Sequence, residues 1–168
     1  MKMLIAVSSR HGSTREIAGS IAETIREAGI EVSVADAEEV ESVAPYDSVI
    51  IGSALHMGRW MEPARALVNR SADLLQTRPV WLFSSGPMGR DIVDPADAAE
   101  GMKLLELVAG RDHRVFAGKA DKDQLGFVER TILRMVKNPY GDHRDWPAIR
   151  EWAMSIAREL TAVPAGAH

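Results

Sequence analysis

The stretch SSRHGSTREIA, residues 8–18, decides the fold. It follows at once on the apolar run MLIAV at 3–7 and leads into a segment with helical spacing. Four hydroxyls, a glycine and a histidine are crowded between what reads as a strand and what reads as a helix. Beyond the loop, Ile17, Ile21 and Ile25 recur at i, i+4 and i+8 with Ala18 and Ala22 beside them, and Gly29 supplies the stop. A helix fed by such a turn presents free backbone N–H groups and a positive dipole end, so its natural guest is an anion, above all a phosphate.

Outward from this unit, apolar runs of strand type return at 32–34, 49–51, 80–83 and 115–117, with stretches long enough for helices between them. Such alternation predicts a parallel sheet. The runs are continuously apolar, which suits strands covered on both faces. Glu62 and Pro63 open a second helix carrying Leu67, Val68, Leu74 and Leu75. Asp94 and Pro95 open a third carrying Met102, Leu105, Leu107 and Val108. Asp145, as cap, and Pro147 introduce a last helix with an apolar face of Ile149, Trp152, Ala153, Ile156 and Leu160. The expectation is a five-stranded sheet, order 2-1-3-4-5, with helices on both faces. An amphipathic inserted helix at 123–137 follows strand five. Residues 1–162 form one domain in this reading and 163–168 a frayed tail.

Composition bounds the function. A chain of 168 residues with 46% hydrophobic and 26% charged residues is an ordinary globular domain. Its N-terminal apolar run is too short for a signal peptide, which makes the cytoplasm the default location. The sequence contains no cysteine, so disulfides, iron–sulfur clusters and thiolate zinc sites are excluded and redox chemistry would have to ride on an organic cofactor. A net charge of -4 argues against nucleic acid as a partner.

In an open parallel sheet, ligands bind beyond the carboxyl ends of the strands. The segments there are Ser9, Arg10, His11, Gly12, Ser13 and Thr14 after strand one; Ala54, Leu55, His56, Met57, Gly58, Arg59 and Trp60 after strand three; and Ser85, Gly86, Pro87, Met88 and Gly89 after strand four. A P-loop would need a lysine after its second glycine, where Ser13 stands, and both the dinucleotide fingerprint and the nucleophile elbow are missing. The stretch from Gly52 to Trp60, with two glycines and a tryptophan read as exposed, would wall a flat ring; the alternative makes Trp60 a packing residue of the next helix. The third would give a thinner wall and backbone donors, or merely connect strand to helix. Asp142, His143 and Asp145 in GDHRDW match no standard zinc spacing, and the helix-capping role of Asp145 is the simpler reading.

The first loop resembles the flavodoxin phosphate loop, [ST]-x-[ST]-G-x-T, with His11 where the pattern has a hydroxyl. The chain from residue 3 to about 160 is similar to the flavodoxin-like branch that includes the menaquinone-dependent protoporphyrinogen oxidases. The similarity rests on SSRHGSTREIA, IGSALHMGRWMEPARALV, VFAGKADKDQLGFVERTILRMVK and GDHRDWPAIREWA. It implies flavin mononucleotide (FMN) as cofactor, its phosphate on the first loop and its isoalloxazine between the other two. It also implies oxidation of a small-molecule redox substrate with a quinone as acceptor. Arg130, Arg134 and Lys137 on the inserted helix add possible contact with the inner face of a membrane. A non-enzymatic electron carrier docking to a redox protein partner and a flavin-free binding module remain the alternatives.

Overall fold

The computed structural model describes residues 1–86, 95–120 and 141–162. Five parallel strands carry the molecule: β1 (Lys2–Ser8), β2 (Glu31–Asp36), β3 (Ser48–His56), β5 (Val80–Ser85) and β6 (Asp112–Phe116). They lie side by side in the order β2-β1-β3-β5-β6, as the alternation of runs predicts. A two-residue strand, β4 (Arg59–Trp60), folds back antiparallel on the end of β3. The three central strands, β1, β3 and β5, outlast the apolar runs that signal them, whereas β6 starts three residues before its run and ends at Phe116, inside it. Backbone pairing continues past the last large apolar side chain, which brings Ser8 beside Ser53 and Ser53 beside Ser84.

Both faces are covered, which is why the central strands are apolar without alternation. On one face lie α1 (Ser13–Glu27) and α5 (Trp146–Thr161). Ile17, Ile21 and Ile25 of α1 meet Ile149, Trp152, Ile156 and Leu160 of α5 over Ile5, Ile50 and Phe83 of the sheet. Gly29, with φ +87°, turns the chain out of α1 in a conformation that side chains resist. Asp145 caps α5 as expected, accepting the Ala148 N–H at 3.0 Å. On the opposite face Leu4, Ile51 and Leu82 pack against α2 (Glu62–Arg70), α3 (Ala72–Leu75) and α4 (Pro95–Leu107).

Three expectations for this second face are corrected. The helix read as one unit through Leu75 breaks at Ser71, which leaves Leu74 exposed and Leu75 buried. In α4, Met102 and Leu107 face outward; the inner stripe is Gly101, Leu104 and, just beyond the helix, Val108. Gly101 sets this rotation. A Cβ there would meet the His113 ring at 2.1 Å, so the bare backbone of α4 lies directly on this β6 side chain, with the larger side chains rolled aside. The third correction, Trp60, belongs to the site.

The expected inserted helix at 123–137 and the tail at 163–168 lie outside the described residues. The two ends of the segment that would contain the helix come together as an antiparallel ribbon, β7 (Lys119–Ala120) with β8 (Gly141–Asp142).

Candidate functional site

The loop from β1 into α1 has the geometry of an anion cradle. Ser9 Oγ accepts the Gly12 N–H at 3.0 Å, which closes the turn. Gly12 stands at the N-cap with φ +86°, and no side chain caps the helix behind it. A Cβ on Gly12 would find no atom within 4 Å, so open space lies in front of the glycine. Thr14 is buried in the first turn, Ser13 is half-buried, and Arg10 and His11 are exposed. At the root of the loop Ser8 Oγ is buried without a hydrogen-bond partner among the described residues. A buried hydroxyl left unsatisfied is unfavourable, and a bound polar group is one remedy.

The segment after β3 is a hairpin and not a loop. Ala54, Leu55 and His56 continue the strand; Met57 and Gly58 form the turn, both at positive φ; Arg59 and Trp60 return beside His56 and Leu55. The return turns the tryptophan inward. Trp60 is 2% exposed, against 76% for Met57 at the tip. Its indole Nε1–H donates to Ser84 Oγ at 2.8 Å, and its backbone N–H donates to the Glu100 carboxylate. The expected exposed ring is therefore corrected: Trp60 is a packing residue between the sheet and α4, with no face free for stacking. The exposed part of the hairpin is His56, Met57 and Arg59. Arg10 donates to His56 Nδ1 at 2.9 Å, so the hairpin and the first loop touch.

The third segment lies against the second. Ser85 pairs with Ala54 in the sheet, and Gly86, with φ +118°, donates its N–H to the Phe116 carbonyl at 2.8 Å. Leu55 Cβ is 3.5 Å from where a Gly86 Cβ would stand. Pro87, Met88 and Gly89 lie outside the described residues. The structure thus brings Ser9, Gly12, Ser13, Thr14, Arg10, His56, Leu55, Ala54, Ser85 and Gly86 to one end of the sheet.

Beneath this end runs a polar chain that the sequence does not announce. Ser53 Oγ accepts the Met61 N–H at 2.8 Å, and Ser84 Oγ lies 2.8 Å from His113 Nε2. Burial lowers the His113 pKa below its usual 6.5, against the opposing pull of Asp112. The only available sign of this chain was a serine closing each of the three central strand runs.

GDHRDW forms a clamp. Arg144 grips Asp142 with two parallel bonds, Nε to Oδ1 at 2.8 Å and Nη2 to Oδ2 at 2.7 Å. Its Nη1 donates to the Glu16 carboxylate and, at 3.4 Å, to the Ser13 carbonyl. The guanidinium lies 4.5 Å from the centre of the Trp146 ring. These hydrogen bonds hold the Asp142 carboxyl at about 2. Among the described residues no cluster suits a metal ion, and no helix is long and apolar enough to cross a membrane.

Comparison with known proteins gives these features a family. The flavodoxin domain profile matches residues 4–146. Protoporphyrinogen IX dehydrogenase [quinone] of Escherichia coli K12 is 27% identical, over 98% of both chains. Among solved structures, an archaeal flavodoxin superposes with a TM-score of 0.65 at 12% identity, over 96% of this chain and 99% of that one. Rubredoxin oxygen:oxidoreductase from Desulfovibrio gigas superposes with a TM-score of 0.69 at 20% identity. The match covers 98% of this chain but 37% of that protein.

Proposed function

The chain belongs to the flavodoxin domain family, and from that premise we propose that it is an FMN-dependent oxidoreductase that passes electrons from a reduced small molecule to a quinone. The observation that carries the reading is the α1 N-terminus: an uncapped helix start, a left-handed Gly12 and open space in front of it. Ser9, Gly12, Ser13 and Thr14 hold the phosphate in this reading, with Arg10 and His11 lining the same cofactor loop. The exposed turn from Ala54 to Arg59 flanks the ring with Ser85 and Gly86, and Pro87, Met88 and Gly89 are assigned to the same wall. The bound flavin supplies the electron transfer. The chain binds and orients it, and no side chain is given an acid or base role.

Support for a quinone acceptor, and for protoporphyrinogen as the type of donor, comes from the near full-length likeness to the E. coli dehydrogenase. A cytoplasmic setting with peripheral contact to the membrane's inner face fits a quinone acceptor. The test begins with a titration. The protein is expected to bind FMN more tightly than riboflavin, and the double substitution G12V/T14A should remove that preference. Valine is strained at the φ of Gly12, and its side chain fills the space a phosphate needs. Equal affinity for the two flavins in the unaltered protein would sink the assignment. Flavin binding without quinone-dependent oxidation of protoporphyrinogen would make the protein an electron carrier.

A further inference from the structure

The clamp at Arg144 lies beside the first turn of α1, and the proposed function leaves it unused. Its side chain is 4% exposed, although both carboxylates it binds reach solvent. Every edge of the guanidinium is engaged: the fork on Asp142, the contact with Glu16, the Ser13 carbonyl, and the stacking face on Trp146. Surface ion pairs are usually loose, with little held in place. This one is locked by a planar fork, which suits arginine and not lysine.

Two of the contacted groups belong to the helix end assigned to phosphate. Ser13 is the first residue of α1, and Glu16 lies in its first turn. Asp142 adds a second carboxylate from β8, which Arg144 draws to the same place. A carboxylate near a helix N-terminus interacts favourably with the dipole and so competes with any other anion for that position. Uncompensated, Glu16 and Asp142 would repel a phosphate from the end of α1.

We infer that Arg144 is a positioning residue for the phosphate group of the ligand at the α1 N-terminus: its positive charge offsets one of the two negative charges of Glu16 and Asp142, and its bonds hold both carboxylates in place beside the β7–β8 ribbon. The inference rests on the FMN reading of the site. It deepens that reading by giving phosphate selectivity a source outside the loop. Because Arg144 stands between the ribbon and α1, it also joins the β7–β8 ribbon to the phosphate site through one side chain.

The experiment measures dissociation constants of FMN and riboflavin by fluorescence titration, at low and high salt, for the unaltered protein and three variants. R144M should weaken FMN by about tenfold at low salt and leave riboflavin within about twofold, since a charge at a helix end alters binding several-fold and two carboxylates are released. The triple variant R144M/E16Q/D142N should recover most of the lost FMN affinity, although it lacks the arginine. E16Q/D142N alone leaves Arg144 unneutralised and should tighten FMN several-fold, with riboflavin unchanged; it serves if R144M fails to fold. Equal weakening of both flavins by R144M would assign the arginine to general packing and overturn the inference. So would a triple variant that stays weak, or no gain in E16Q/D142N. Failure of the FMN reading itself would register separately, as equal affinity for the two flavins in the unaltered protein.

Discussion

On each side of the sheet a buried tryptophan has its indole N–H satisfied, Trp152 under α1 and α5 and Trp60 under α2 and α4, yet the two layers are built on different principles. Under α1 and α5, Trp152 packs edge-on against Phe83 and Phe116, with ring centres 6.2 and 5.6 Å away. The Phe83 ring lies where a side chain on Gly52 would be, 2.2 Å from that position. Here the Trp152 N–H reaches a carboxylate at the rim, Asp112, at 2.9 Å. Under α2 and α4, Trp60 is stitched into a polar chain that runs through Ser84 to His113 and, from its backbone, to Glu100, which pairs with Arg65 at 3.6 Å. The surroundings of Trp152 are dominated by ring packing. Those of Trp60 add to their apolar packing a connected set of hydrogen bonds, which makes them sensitive to a single lost donor or a single added proton.

That contrast can be broken at three points. Removing the Trp152 ring, W152A, should cost about 3–5 kcal/mol in chemical denaturation, because a large aromatic leaves a cavity that rigid neighbours fill poorly. The conservative W60F keeps most of the volume and removes only the indole donor, leaving Ser84 Oγ short of a partner. A loss of about 1–2 kcal/mol is expected. If W60F were as damaging as W152A, both layers would be volume-limited and the contrast would fail.

The smallest effect is a pH dependence. Burial lowers the His113 pKa in the folded protein, so the folded state favours the neutral ring and the unfolded state takes up the proton first. Stability from this group is therefore complete above the unfolded value of 6.5 and falls as pH drops below it toward the folded value. Denaturation midpoints measured from pH 8 downward should show that decline, and H113Q should flatten it. The Asp142 contribution is also lost on acidification, but in a lower window, below the ordinary carboxylate value of 3.8 toward about 2.

What could be read from the sequence follows the same division. The α1 layer was legible because its information is periodic: isoleucines four apart, a glycine stop, and an aspartate with a proline two residues on. The turn from β1 into α1 was legible because a hydroxyl and a glycine are themselves what closes it. Trp60 was misread because its surroundings, Gly58 and Arg59, look like exposed loop. Only the antiparallel pairing of Leu55 with Trp60 reveals that the chain doubles back and buries the ring. Gly101 hid the rotation of α4 in the same way, since a contact made by the absence of a side chain has no apolar signal. Arg144 was invisible for a third reason: its partner Glu16 is far away in the chain, and charge alone does not say which carboxylate an arginine will meet.

The packing of α5 on α1 has a consequence for how the protein is made. The isoleucine face of α1 emerges early, but the helix that covers it is encoded at the other end of the domain. At roughly five to twenty residues per second, a ribosome leaves that face without its cover for about ten seconds. During that interval β1 also waits for its second neighbour, since β3 is made after β2. The nascent chain is thus most vulnerable to misassociation while its core half-exists, and synthesis halted before Trp146 should yield a product that depends on chaperones to stay in solution.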